Sequence, residues 1–339
     1  MTPVANVPRV EGHAWIADDF GAPADVLKFV PRTWDPPAAG ALLVEVNAAG
    51  VGLPDSLMMR GVYPLVRKPP ITPGQEVCGT VVMTAEGSRF SVGDRVLGPT
   101  HFYAGSGGFA THTYVTEAHA SLAPASLSDE EAAGFYIGYR TAYTTLVTRS
   151  AVHAGETVLV LGGSGSTGAT AILLAKALGA RVVAVASTEA KRSFCAGLGA
   201  DVTVDRDIDA IRSAMDDHTE GRGFDVVVDP VGGELASAAL STVARYGRFA
   251  IVGFASGSWV TVDPIDAVMR NYSVVGVLAA GFTAEENARD IADLYRLAEA
   301  GSLPTPIGEV AELADVPRVI ESLGTSAPPG KLVVRGATG

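Results

Sequence analysis

Gly162, Gly165 and Gly168, in the stretch "LGGSGSTG", stand where the apolar run "TVLVL" ends and an apolar-periodic segment capped by Gly179 begins. Glycines at a strand-to-helix corner let the backbone approach an anion closely, and a helix N-terminus offers that anion unpaired N–H groups. The chemistry this spacing supports is binding of a dinucleotide pyrophosphate. The spacing is GxxGxxG, whereas the common fingerprint is GxGxxG, so a tight turn with no ligand is the competing reading. A phosphate loop of the ATP type needs Gly-Lys-Ser/Thr after the glycines, and Thr167-Gly168-Ala169 does not supply it.

The choice of dinucleotide depends on the tip of the next strand, "RVVAVAS". An Asp or Glu roughly 20 residues beyond the glycines would bind the ribose 2'-hydroxyl of NAD. Here the tip is Ser187-Thr188, which leaves room for a 2'-phosphate, and Lys191, Arg192 and Arg206 lie near enough in sequence to supply positive charge to it. NADPH is expected over NADH, with Lys191 and Arg206 as the preferred partners and Arg192 equally readable as a solvated surface charge.

Metal and thiol chemistry find little support. The six histidines, His13, His101, His112, His119, His153 and His218, are scattered without ligand spacing, and the two cysteines, Cys78 and Cys195, read as small buried hydrophobes in a reducing compartment. No metal site is expected.

These residues need a scaffold. The chain of 339 residues is 47% hydrophobic and only 18% charged, enough for two buried cores. Its net charge of −12 argues against a basic surface for nucleic acid. The N-terminal stretch lacks a basic region followed by an apolar run, and no window is apolar over the length of a membrane span, so a cytoplasmic location is expected. Up to about residue 125, short apolar runs alternate with Gly and Pro signals, as in β-rich structure with long connections. After that, "TVLVLG", "RVVAVAS", "DVTVD", "FDVVVDPVG", "GRFAIVGF" and "YSVVGVL" alternate with helical segments, which is the rhythm of a wound parallel sheet. The expected division is a β-rich domain over 1–125 and 281–339, with an α/β dinucleotide-binding domain over 126–280 inserted in it.

From about Val44 onward the sequence resembles the zinc-free quinone oxidoreductase branch of the medium-chain dehydrogenase/reductase superfamily. The resemblance is carried, in order, by "VGLPDSLMMRGVYPL", "PPITPGQEVCGTV", "VGDRVLG", "GYRTAYTTL", "AGETVLVLGGSGSTG", "LAKALGARVVAVASTEAK", "LGADVTVD", "FDVVVDPVGGE" and "GRFAIVGFASG". It implies a GroES-like β-rich catalytic domain, a Rossmann domain, NADPH as reductant and a homodimer formed through the edge strand "YSVVGVL". It implies Thr141 at the nicotinamide carboxamide, Ser164, Gly165, Ser166 and Thr167 at the pyrophosphate, Ser187, Lys191 and Arg206 at the adenosine end, and Phe254 and Leu278 along the cofactor. Arg206 stands where many members have Tyr. The superfamily's zinc alcohol dehydrogenases carry Cys and His ligands in the regions that here contribute Leu53 and Gln75.

Without a Lewis acid the chemistry should be hydride transfer to a quinone or to an α,β-unsaturated carbonyl, an enone or enoyl thioester, whose negative charge delocalises onto oxygen. Tyr63, where related enoyl reductases carry a Tyr near the substrate, is the expected proton or hydrogen-bond donor, with a wall of the cleft as the competing role. Asp55, matching the family's Asp after the "GV" turn, is a second catalytic candidate that could equally cap a local helix. Two other readings stay open: a dinucleotide-binding, crystallin-like protein with little turnover, and a divergent alcohol dehydrogenase.

Overall fold

The computed structural model describes residues 9–336. They pack as two units: residues 9–137, Thr283–Ala288 and 307–336 form the first, and Gly138–Phe282 with Arg289–Pro306 form the second.

The first unit is built on a seven-stranded sheet. Its spatial order is Ile307–Ala311, Lys331–Arg335, Ala41–Val51, Glu76–Thr84, Arg95–Pro99 and Ser121–Leu122, with His112–Thr116 also pairing with Ala41–Val51. All pairings are antiparallel except Ile307–Ala311 with Lys331–Arg335. Ala41–Val51, "ALLVEVNAAGV", is the central strand, and almost every residue of it is covered, so it reads as a continuous apolar run rather than an alternating one. Leu42, Val44, Val77, Val96, Val115 and Leu332 form one core with Met58, Met59 and Ile320. A hairpin of Val10–Ala17 and Leu27–Trp34 lies outside this sheet.

The second unit is a six-stranded sheet, every pairing parallel, in the order Val202–Val204, Arg181–Val185, Thr157–Val160, Phe224–Asp229, Val243–Ile251, Ser273–Gly276. Numbered along the unit this is 3-2-1-4-5-6, the Rossmann order, with its switch point between Thr157–Val160 and Phe224–Asp229. Leu159, Val183, Val185, Ile211, Phe224, Val227 and Phe249 fill one face. Thus the GroES-like and Rossmann architectures implied by the sequence are both present.

Two segments join units by contacts that their sequence does not advertise. Residues 126–137 pack with the first unit: Asp129 accepts from Arg95 Nε (2.6 Å) and Asn47 Nδ2 (3.2 Å). Residues 289–306 pack with the second. There Arg140 and Asp290 form a fully buried ion pair at 2.6 Å, Tyr143 donates to Asp293 (2.8 Å) and Tyr139 to the carbonyl of Pro304 (2.6 Å). The outermost strand, Ser273–Gly276, leaves one edge without a neighbour in the sheet. Beside it in sequence, Ile265, Val268 and Met269 of the helix Pro264–Arg270 are each at least 70% exposed.

Candidate functional site

In the second unit the glycine corner follows from local hydrogen bonding. The strand Thr157–Val160 runs on through Leu161, and Gly162 turns with φ +61°, where a side chain would be strained. Its carbonyl accepts from Gly165 N (3.1 Å), and Gly163 N donates to Val185 of the neighbouring strand (2.9 Å). Helix Ser166–Ala177 then starts, and its first helical bond is Ala169 N to Gly165 O (2.8 Å). The amides of Ser166, Thr167 and Gly168 therefore have no helical acceptor. Gly168 is required for packing, because a Cβ there would lie 2.3 Å from Gly162 O. Gly165 is exposed, and a Cβ there would meet no atom closer than 3.6 Å, so open space fronts the free amides. A pyrophosphate suits this corner, with three donors, room and the positive end of a twelve-residue helix.

Apart from Thr141, the other expected nucleotide residues follow the carboxyl ends of the same parallel strands, where ligands of wound sheets bind. Ser187 is exposed just beyond Arg181–Val185, and Thr188 caps helix Glu189–Gly197, its Oγ1 accepting from Lys191 N (3.3 Å). The three cations differ. Arg192 is engaged, donating to Ala186 O (3.3 Å) and pairing with Glu189 (3.0 Å) and Asp205 (3.3 Å). Among the described residues, the side chains of Lys191 and Arg206 form no salt bridge. Asp205, whose Oδ1 also accepts from Arg206 N (2.6 Å), and Asp207 flank Arg206, and Glu189 precedes Lys191 by two residues. Phe254 follows Val243–Ile251 and packs its ring on Trp259 at 4.4 Å, and exposed Leu278 lies two residues past Ser273–Gly276. Thr141 sits half-buried near the end of the helix Asp129–Tyr143, one turn before it widens into π-helical Thr144–Arg149. Ser164 is buried inside the corner itself.

Asp229 escaped the sequence reasoning, although it ends the quoted run "FDVVVD". It lies fully buried at the switch point; Oδ1 accepts from Val231 N (2.9 Å) and Gly232 N (2.7 Å), while Oδ2 meets no partner among the described residues. Burial raises its pKa against those two amides.

In the first unit, Asp55 lies in helix Leu53–Met59 and is 1% exposed. Its two oxygens are taken by backbone: Oδ2 accepts from Gly52 N (2.9 Å) and Oδ1 from Gly74 N (2.8 Å). Gly74 needs φ +97°, and its carbonyl accepts from Thr100 Oγ1 (2.6 Å) and Gly108 N (2.7 Å). The turn fixed this way carries Gln75, whose Nε2 donates to the Tyr63 hydroxyl at 3.0 Å. Tyr63 is partly buried and packs toward Phe102. Next to Gln75, Glu76 is buried with Lys331: Oε1 is 2.5 Å from Nζ, and Oε2 accepts from Ile137 N (2.7 Å). Sequence reasoning overlooked Lys331 and the use of Gln75, since the only signal for Gln75 was that it is not a histidine.

Burial is the largest influence on both titrating groups. It pushes the Asp55 carboxyl up to about 6, against the two amides and the Lys331 charge, with Glu76 adding to the rise. Burial also raises the Tyr63 phenol; the Gln75 hydrogen bond opposes this and the Asp55 charge reinforces it.

Residues 38–126 match the alcohol dehydrogenase GroES-like domain family, and residues 166–295 the zinc-binding dehydrogenase family. The chain is similar to quinone oxidoreductase-like protein 2 of Bos taurus, 32% identical over 90% of this chain and 86% of that one. It is 30% identical to the quinone oxidoreductase of Homo sapiens, over 93% and 95% of the two chains. Among solved structures it resembles mycobacterial Rv1454c complexed with NADPH, with TM-score 0.87 and 30% identity over 96% and 99% of the chains. It also resembles the Escherichia coli quinone oxidoreductase complexed with NADPH, with TM-score 0.88 and 25% identity over 95% and 99%. A GroES-like unit joined to a Rossmann sheet with an open glycine corner defines a medium-chain dehydrogenase/reductase. Within that class, the chain belongs to the quinone oxidoreductase branch. Zinc does not fit its donor set: Leu53 and Gln75 offer neither thiolate nor imidazole, and no three His, Cys, Asp or Glu among the described residues group to hold a metal.

The raised Asp55 carboxyl has a stability consequence. Between about pH 4, where an unfolded Asp ionises, and about pH 6, the folded chain holds a proton the unfolded chain has released, so raising the pH lowers stability across that window. Asp55→Asn removes the titration. Its unfolding midpoint in denaturant is expected to move in favour of the variant, relative to wild type, as pH rises through the window, and to hold a constant offset above about pH 7. An offset that does not vary with pH would mean that Asp55 ionises as in free solution.

Proposed function

We propose that the protein is an NADPH-dependent reductase that transfers hydride, without a metal ion, to a quinone or to an activated α,β-unsaturated carbonyl, an enone or enoyl thioester. One observation carries this reading: the unpaired amides of Ser166, Thr167 and Gly168 beside an exposed Ser187 with two cations, Lys191 and Arg206, free of salt bridges among the described residues. Relatives of the same fold carry NADPH, which supports the same nucleotide here.

In this reading Ser164, Gly165, Ser166 and Thr167 hold the pyrophosphate, Ser187, Lys191 and Arg206 the phosphorylated adenosine end, and Thr141, Phe254 and Leu278 the remainder. NADPH, when bound, supplies the hydride. In an enone, as a hydride adds at the β-carbon, the carbon–carbon π pair shifts to the bond between the α-carbon and the carbonyl carbon, and the carbonyl π pair moves onto oxygen. Tyr63 O–H gives its proton to the α-carbon as the enolate collapses, and water returns a proton to Tyr63. A quinone gathers the charge on its own oxygens and takes its proton from water. Asp55, with both oxygens occupied by backbone, acts by holding Gly74 and through it Gln75.

The test is NADPH oxidation with a quinone, an enone and an enoyl-CoA, each with and without chelator. Turnover with at least one acceptor, unaffected by chelation, is expected. No turnover with any of them would favour a binding protein, and loss on chelation would overturn the metal-free reading. Lys191→Ala and Arg206→Ala should each weaken NADPH far more than NADH in fluorescence titrations, since a charge-assisted contact to the extra phosphate contributes about 1.5–3 kcal/mol. Equal weakening of both cofactors would remove the 2'-phosphate assignment.

The same reading makes the protein a cytoplasmic homodimer. The bare edge of Ser273–Gly276 and the exposed Ile265, Val268 and Met269 are an apolar surface that a second copy would cover. Light scattering at micromolar concentration is expected to give twice the chain mass, and a monomer would refute it.

A further inference from the structure

We infer that Gln75 is a positioning residue for Tyr63: by donating its carboxamide N–H to the phenol oxygen, it leaves the phenolic proton as the hydrogen Tyr63 gives to substrate. The inference rests on the reading of Tyr63 as proton donor and adds the device that sets the polarity of that donor.

A phenol has one hydrogen to donate and lone pairs to accept with. The neighbour it meets inside the protein decides which of these it uses there. An acceptor in the interior would draw the proton inward and leave an oxygen facing the substrate. Gln75 Nε2, 3.0 Å from the hydroxyl, is a donor and takes up a lone pair instead. The donor is also held in place. Gln75 is 7% exposed, and its carbonyl accepts from Thr100 N at 2.9 Å. The preceding Gly74 is gripped by Asp55, Thr100 and Gly108. The Tyr63 end is ordered too: Val62 N donates to Leu57 O (3.1 Å) and Val66 N to Tyr63 O (3.2 Å).

The contact also acts on acidity. Burial and the negative charge of Asp55 both make the phenol harder to ionise, and the Gln75 N–H works against them by stabilising the charged oxygen.

The experiment uses the whole chain and four variants: Tyr63→Phe, the near-isosteric Gln75→Met and Gln75→Glu, and the Tyr63→Phe/Gln75→Met double variant. Thermal unfolding and NADPH titration establish that each is folded and binds the nucleotide. Without cofactor, an ultraviolet difference titration of wild type against Tyr63→Phe isolates the Tyr63 phenol. In the Gln75→Met background that phenol should ionise about one pH unit higher.

With 2-cyclohexenone as acceptor, Tyr63→Phe should lower kcat about 10²–10⁴-fold. Gln75→Met should lower it about tenfold at little change in KM, and the double variant should be no slower than Tyr63→Phe alone. Gln75→Glu, whose carboxylate would accept the phenolic proton, should fall close to Tyr63→Phe at neutral pH and recover as the pH drops and the new carboxyl becomes a donor.

An unmoved phenol titration, additive losses in the double variant, or a Gln75→Glu variant that tracks Gln75→Met at every pH would each show that Gln75 only fills space, with Tyr63 as donor left standing. Full turnover in Tyr63→Phe would remove the donor reading, and this inference with it.

Discussion

A single carboxylate receiving two backbone amides organises the first unit. Gly52 and Gly74 lie 22 residues apart and are bridged by Asp55, which takes one N–H on each oxygen in a site closed to water. Buried amides without an acceptor are costly, and so is a buried carboxylate without donors; each satisfies the other here. The exchange fixes the turn at Gly74, and the Gln75 side chain that follows it reaches Tyr63. Burial outweighs the two amides, so the Asp55 carboxyl ionises above the usual carboxylate range. Glu76 and Lys331 carry the same logic one residue further, since Glu76 also satisfies a backbone amide, that of Ile137.

The second unit solves the opposite problem. Its glycine corner leaves amides unsatisfied where solvent or a ligand can reach them, and it does so by steric economy. Gly168 lets helix Ser166–Ala177 come so near Gly162 that any side chain would collide with the carbonyl there. The helix therefore begins at the strand end, with its positive pole at the surface. Of the three cations just past the second and third strands of this unit, Arg192 is drawn into the framework by Ala186, Glu189 and Asp205, whereas the side chains of Lys191 and Arg206 form no salt bridge among the described residues.

The parallel sheet could be read from sequence because strands covered on both faces must be apolar through their middles, and the runs "VLV", "VVAV" and "VVV" within "TVLV", "RVVAV" and "FDVVVD" are. Its glycine corner was equally legible, since spacing and context lie within one short stretch. The first unit was legible only as β-rich. Lys331–Arg335 pairs with Ala41–Val51 across nearly the whole chain, and nothing local in "KLVVR" names that partner. Likewise 289–306 reads as a continuation of the first domain until Arg140 and Asp290 are seen to meet. Tyr63 and Asp55 were identifiable as residues. The hydrogen bond from Gln75 and the clamp on Gly74 were not, because each joins side chains to groups brought together by folding rather than by spacing.

The position of Lys331–Arg335 has a consequence for how the chain is made. This strand sits between Ile307–Ala311 and Ala41–Val51, inside the sheet rather than at its rim. During synthesis the six strands of the second unit emerge as one uninterrupted block and can pair among themselves as soon as Gly276 has left the ribosome. Ala41–Val51 emerges much earlier, yet the stretch from Ala48 to Val51 lacks its partner on one side until Arg335 has been added. For most of translation a nascent chain thus presents an apolar, half-paired strand end, which is the kind of surface that chaperones hold and that aggregation exploits.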